Sequence, residues 1–123
     1  MVSQPKKILI VEDEKPLARA LELKLLNSGF RPRIAVDGQE ALDYLKKEKF
    51  DLMLLDLVMP NISGFDVLEK MSAGKNKTPV IVTSNLGQEE DLKKVEKFGI
   101  KKYFIKSDVS IVDIINYIKD ILK

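Results

Sequence analysis

Four places in the chain put polar groups directly after an apolar run. Glu12-Asp13-Glu14 follows Ile8-Leu9-Ile10-Val11, and Asp56 follows Leu52-Met53-Leu54-Leu55. Thr83-Ser84-Asn85 follows Val80-Ile81-Val82, and Lys106 follows Tyr103-Phe104-Ile105. Singly, each has an ordinary explanation: a carboxylate at a strand end caps a helix or faces solvent, a Thr-Ser pair caps a turn, a lysine is simply exposed. Jointly they describe a site. Glu12, Asp13 and Asp56 brought near one point repel one another unless a cation joins them. An acid at the mouth of a strand as apolar as Leu52–Leu55 costs several kcal/mol to bury unless its charge is paired.

The chain has no histidine and no cysteine, so its candidate ligands are oxygens, which suit Mg²⁺ or Ca²⁺ rather than zinc. The spaced acids and central glycine of an EF-hand loop are missing, which leaves Mg²⁺ as the expected ion. Mg²⁺ held by a few carboxylates keeps waters and a phosphate oxygen as its other ligands. A lysine and a hydroxyl opposite it would clamp a transferred phosphoryl group. A carboxylate is a competent nucleophile toward phosphorus. The residue types therefore read as phosphoryl transfer to an aspartate.

Such a site needs a scaffold that brings several strand ends to one edge. The first run, Ile8–Val11, is continuously apolar and reads as a strand buried on both faces; Arg33–Val36 is more polar, as an edge strand should be. Leu52–Leu55, Val80–Val82 and Tyr103–Ile105 give three more strands. Between them lie helix-like segments. The first begins near Pro16 and stops at Gly29, with Leu17, Leu21 and Leu25 on one face. The second opens at Asp37-Gly38 and the third at Ser63-Gly64. The fourth carries Leu92, Val95 and Phe98 and stops at Gly99. The fifth repeats Ile111, Ile114, Ile115, Ile118, Ile121 and Leu122 at helical spacing. Strand and helix alternating five times predict an α/β sandwich of three layers around a parallel sheet. In an order 2-1-3-4-5, the strands ending in Glu12-Asp13, Asp56, Ser84 and Lys106 are neighbours, and ligands bind outside the carboxyl ends of such strands.

Length and composition agree. The 123 residues fit one domain, 1–123, with 45% hydrophobic residues to build a core without disulfides. A net charge of +2 gives no reason to expect nucleic-acid binding. No apolar run approaches the roughly 18 residues of a membrane span, and no signal-peptide pattern opens the chain, so a cytoplasmic setting is expected.

With these residues in view, the chain resembles the receiver domains of response regulators, the chemotaxis-receiver-like domains of two-component signalling. ILIVEDE, DLMLLDLVMPNISG, TPVIVTSN and YFIK carry the likeness, and Asp56-x-x-Met-Pro-x-x-x-Gly64 is its most specific part. The resemblance implies a flavodoxin-like fold and a Mg²⁺-dependent phosphoacceptor switch that is not an enzyme in the ordinary sense. Asp56 is then the phosphoacceptor. Asp13 is the direct metal ligand, with Asp56 and the backbone carbonyl of Val58, and Glu12 acts partly through water. Lys106 pairs with phosphoryl oxygens, Ser84 is the switch hydroxyl, and Tyr103 is the aromatic that moves with activation. The partners implied are a histidine kinase or histidine phosphotransfer protein, and a downstream protein on the face of the fourth helix, fifth strand and fifth helix. That face holds Lys93, Lys94, Lys97, Lys101 and Lys102, either a solvated surface or a surface for an acidic partner. A phosphorylation-dependent homodimer stays open.

The chain departs from the family pattern in places. Ser107 stands where most members have proline after the lysine, and a trans bond is expected there. Asn85 replaces a small residue and is expected to narrow access to the phosphoryl group or to hydrogen-bond it. Val58 and Leu86 border that group and are aliphatic, which should orient water poorly and lengthen the life of the phosphorylated form. Two alternatives remain: an unphosphorylated docking domain of the same fold, and an Asp-nucleophile phosphohydrolase of the haloacid dehalogenase type. The latter needs a second acid two residues beyond its nucleophile, where this chain has Val58. The glycine-rich fingerprints of dinucleotide- and P-loop proteins are absent.

Overall fold

The computed structural model describes residues 4–122; residues 1–3 and 123, the ends of the expected 1–123 domain, lie outside the described residues. Strands β1 (Lys7–Val11), β2 (Arg31–Ala35), β3 (Leu52–Asp56), β4 (Val80–Ser84) and β5 (Lys102–Ile105) alternate with helices α1 (Lys15–Asn27), α2 (Gly38–Lys47), α3 (Gly64–Ala73), α4 (Glu89–Glu96) and α5 (Ile111–Ile121). A 3₁₀ turn, Lys106–Asp108, follows β5. The strands are all parallel, in the order β2-β1-β3-β4-β5. This is the flavodoxin-like arrangement that the alternation predicts.

Side chains on a strand alternate between faces, and each face here has its own apolar layer. Leu9, Val11, Met53, Leu55, Val80 and Val82 meet α2, α3 and α4 through Ala41, Val67, Leu68, Met71 and Val95. Ile8, Ile10, Leu52, Leu54, Ile81 and Phe104 meet α1 and α5 through Leu21, Leu25, Ile114, Ile115 and Ile118. Both faces of β1 and β3 are covered, which is why their sequences are apolar without a break.

Local chemistry starts the helices where the strands need them. Asp37 accepts a hydrogen bond from Glu40 N–H at 2.8 Å. Ser63 with Asp66, and Ser110 with Asp113, form capping boxes at the starts of α3 and α5. Gly29 and Gly99 end α1 and the segment after α4 with φ of 88° and 72°.

Details at the element ends differ from the sequence reading; β3 runs on to Asp56 and β4 to Ser84. β2 starts at Arg31, not Arg33, and includes Pro32 opposite Ile8; an edge strand tolerates the missing N–H. Val36 falls outside it. α4 ends at Glu96, before Phe98, although Phe98 still packs on the core. Ile121 continues the period of α5 but is 37% exposed, while its neighbour Leu122 packs on the core.

Candidate functional site

The sheet register brings the polar groups to one rim. Val11 pairs with Leu55, so Glu12 comes level with Asp56; Asp56 pairs with Thr83, and Ser84 with Ile105, the residue before Lys106. Carboxylate oxygens of Glu12, Asp13 and Asp56 all lie within 4.8 Å of one another, with Glu12 and Asp56 buried and Asp13 exposed. Lys106 reaches into this group. Its Nζ is 2.7 Å from Glu12 Oε1, 3.3 Å from Asp56 Oδ2 and 4.0 Å from Glu14 Oε2.

The two oxygens of Asp56 have different surroundings. Oδ1 accepts from Val58 N–H at 3.2 Å, which fixes the carboxylate plane, and Oδ2 faces the ammonium. Gly64 lets this rim close. A Cβ there would stand 2.4 Å from the Asp56 carbonyl oxygen and 2.7 Å from Leu57 Cα. The glycine in the Met-Pro-x-x-x-Gly stretch therefore serves close approach of α3 to the end of β3.

Electrostatics mark the site as under strain. Burial pushes the Asp56 carboxyl above the ordinary carboxylate range, and Asp13 adds to the rise; the Lys106 charge and the Val58 N–H oppose it without winning. Burial likewise raises the Glu12 carboxyl against the Lys106 ammonium and the Glu14 N–H. Burial works to lower Lys106, but Glu12 and Asp56 outweigh it and hold the ammonium above its usual value.

Does the donor set fit a cation? Oxygens on an octahedral Mg²⁺ at 2.0–2.1 Å stand about 2.9 Å apart when adjacent and about 4.2 Å when opposite. A cluster within 4.8 Å reaches those separations by small side-chain rotations or one bridging water. Glu12 Oε1 is buried and makes no directed hydrogen bond, despite its charge contact with Lys106. Its counter-charge is the ammonium, so Glu12 would meet a cation through water. Glu12, Asp13 and Asp56 fit a hard divalent cation.

Strand alternation separates Thr83 from Ser84. Thr83 turns toward α1 and α5, where it lines a small cavity with Leu17, Leu21, Lys106 and Ile114. Ser84, fully buried, lies one residue on and so faces the other layer, the side on which Tyr103 packs. Leu86 is their common anchor. Its N–H donates to Ser84 Oγ at 3.1 Å, and its carbonyl accepts from the Tyr103 hydroxyl. Burial raises the Tyr103 phenol above its ordinary value. The Leu86 side chain packs on the α2–α4 layer, while Val58 is 57% exposed at the rim.

Asn85, next to Ser84 at the end of β4, reaches across to the turn after β5. Its Oδ1 accepts from Ser107 N–H at 3.0 Å. No peptide bond among the described residues is cis, so Lys106–Ser107 is trans as expected. The pairing of Asn85 with Ser107 joins residues 22 apart and has no local signal in the sequence. Nor does the sequence signal the deep burial of Glu12 beneath Lys106.

Comparison with known proteins decides the family. Residues 8–119 match the response regulator receiver domain. The chain belongs to that family. It is thus a receiver of two-component signal transduction, a phosphoacceptor-type domain rather than an enzyme in the ordinary sense. The cell cycle response regulator CtrA of Brucella ovis is 33% identical over 100 residues, which is 81% of this chain and 43% of CtrA. The receiver therefore spans less than half the length of the curated relatives it matches. Among solved structures, the receiver domain of Francisella response regulator 1452 is 29% identical with a TM-score of 0.86, covering 93% of each chain. The response regulator TrrA of Thermotoga maritima, in complex with Mg²⁺-BeF, is 25% identical with a TM-score of 0.79, covering 94% of this chain and 97% of that one. Glu12, Asp13 and Asp56 form this receiver's acidic pocket, which resembles a receiver Mg²⁺ site.

Proposed function

We propose that this chain is a single receiver domain that takes a phosphoryl group onto Asp56 from a phosphohistidine of a kinase or phosphotransfer protein. The observation that carries the reading is the meeting of three carboxylates and one ammonium at a sheet rim, with Asp56 Oδ2 3.3 Å from Lys106 Nζ. An Asp56 oxygen attacks phosphorus, the phosphorus–nitrogen bond breaks, and the imidazole leaves with the electron pair and is reprotonated. The product is an acyl phosphate. Val58 N–H keeps the carboxylate oriented, and Lys106 moves from Asp56 Oδ2 to the incoming phosphoryl oxygens.

Asp13, Asp56 and the Val58 carbonyl would hold Mg²⁺ directly, with Glu12 acting through water. Bound there, the ion supplies charge neutralisation for the phosphoryl oxygens. The Mg²⁺-BeF complex of TrrA supports this reading by likeness.

Phosphorylation replaces the Asp56 carboxylate, of charge −1, by an acyl phosphate of about −1.5 to −2 with three strong acceptor oxygens. Ser84 Oγ accepts from the Leu86 N–H and keeps its own O–H to donate to a phosphoryl oxygen, so a shift of Ser84 toward the phosphoryl group pulls on Leu86. Tyr103 holds the same residue by its carbonyl, so movement at Leu86 is transmitted to β5. The surface that responds is α4, β5 and α5, where the lysines suit an acidic protein partner. Val58 and Leu86 offer no polar group to orient water, which gives a long-lived phosphoryl group. Asn85 Oδ1 is engaged by the Ser107 N–H, which leaves the amide N–H groups to narrow access to the phosphoryl group or to hydrogen-bond it.

Incubation with acetyl phosphate and Mg²⁺, followed by intact mass, tests the proposal. One added phosphoryl group is expected, lost in excess chelator and in Asp56→Asn. No labelling under any condition would favour an unphosphorylated docking domain.

A further inference from the structure

Two residues that depart from the family pattern touch each other. Asn85 directly follows Ser84 at the end of β4, and Ser107 directly follows Lys106 at the start of the 3₁₀ turn. Their strands are neighbours, with Ser84 opposite Ile105. Beyond that pair the backbones part, and no further ladder bond is formed between them. The Asn85 side chain continues the ladder by one step: its Oδ1 takes the Ser107 N–H at 3.0 Å in place of a backbone carbonyl. The orientation of the amide follows from chemistry, since a backbone N–H can only donate.

The identities depend on each other. A proline at 107 has no N–H to donate. A small aliphatic residue at 85 has no acceptor of the right length. Ser107's own hydroxyl is not part of the bond. The link therefore requires Asn85 and any residue other than proline at 107.

Its position gives it a consequence. One end of the link sits beside the hydroxyl of Ser84, and the other beside the ammonium of Lys106, whose Nζ spans Glu12 and Asp56. We infer that Asn85 is a positioning residue that ties the Lys106 turn to the β4–α4 loop, so the two phosphoryl-binding groups are held and moved as one unit. The inference rests on the reading of Asp56 as phosphoacceptor. Without the link, Lys106 and Ser84 must be brought into place independently, and the entropy of ordering the turn is charged against ligand binding.

The test is beryllofluoride with Mg²⁺, titrated by NMR into the wild-type chain and four variants: Asn85→Ala, Ser107→Pro, their double, and Ser107→Ala. One lost hydrogen bond predicts a roughly 2- to 10-fold weaker apparent affinity in each of the first two. The double variant should be no weaker than the weaker single, because both remove one bond. Ser107→Ala keeps the N–H and should bind as wild type does. In Asn85→Ala the Ser107 amide should lose hydrogen-exchange protection, and its shift on binding should separate from those of residues 84–86. Wild-type affinity in Asn85→Ala, or additive losses in the double variant, would overturn the proposal. If the wild type itself does not bind beryllofluoride, the phosphoacceptor reading fails. Ser107 exchange then decides the link alone, and equal exchange in wild type and Asn85→Ala overturns it.

Discussion

Replacing Asp56 by Asn should make the metal-free protein more stable at neutral pH, and the structure shows why. The substitution keeps the shape and keeps an oxygen to accept the Val58 N–H. It removes one negative charge. At an effective dielectric of about 20, charges 4.8 Å apart interact by about 3.5 kcal/mol, the scale of repulsion from buried Glu12. Exposed Asp13 adds less, about 1–2 kcal/mol after solvent screening. Attraction to Lys106 at 3.3 Å is worth about 5 kcal/mol on the same footing. The pairwise terms nearly cancel. What remains is the cost of burying the charge, which agrees in sign with the raised carboxyl. A net gain follows, and each 1 kcal/mol of it raises Tm by about 4 °C for a domain of this size. A raised acid in the folded state favours the neutral form, so the wild type's deficit is full above the raised pKa and shrinks as pH falls through it toward the ordinary carboxylate range. The assay is thermal and urea unfolding in chelator at several pH values. A variant equal to or less stable than wild type at neutral pH, or a difference that does not shrink in acid, would refute the electrostatic account.

Other expectations follow from the same geometry. Mg²⁺ at tenfold excess over its dissociation constant should stabilise the wild type by about 1.4 kcal/mol, and Asp13→Asn should lose most of that gain in a thermal melt. Gly64→Ala should cost about 2–3 kcal/mol by urea unfolding, because the new Cβ meets backbone atoms at 2.4 and 2.7 Å that cannot step aside. Val58→Asn should shorten the life of phospho-Asp56 by offering an exposed amide to an attacking water; equal rates of label loss would dispose of that idea.

The parts of the fold that showed in the sequence are those set by two-sided burial and by local capping. Ile8–Val11 and Leu52–Leu55 are unbroken apolar runs because helices cover both faces of β1 and β3. Asp37 and Ser63 mark helix starts, and each accepts from the N–H three residues on. Edges were harder to read. Pro32 hides the start of β2, since only an edge strand can accept it. In α4, the apolar spacing runs on to Phe98 after the helix itself has ended at Glu96. For the site, the convergence of Glu12, Asp13, Asp56 and Lys106 was legible because strand order alone brings those ends together. What lay beyond sequence were contacts between loops: Asn85 with Ser107, Tyr103 with the Leu86 carbonyl, and Gly64 against the Asp56 backbone. Each depends on where two distant segments part company, which no local pattern encodes.

The most direct test of the phosphoacceptor claim is to treat the chain with acetyl phosphate and Mg²⁺, trap the acyl phosphate by borohydride reduction, and map the reduced residue by mass spectrometry. Reduction at Asp56 alone is the expected result. Reduction at Asp13, Glu12 or another carboxylate with Asp56 intact would contradict the account.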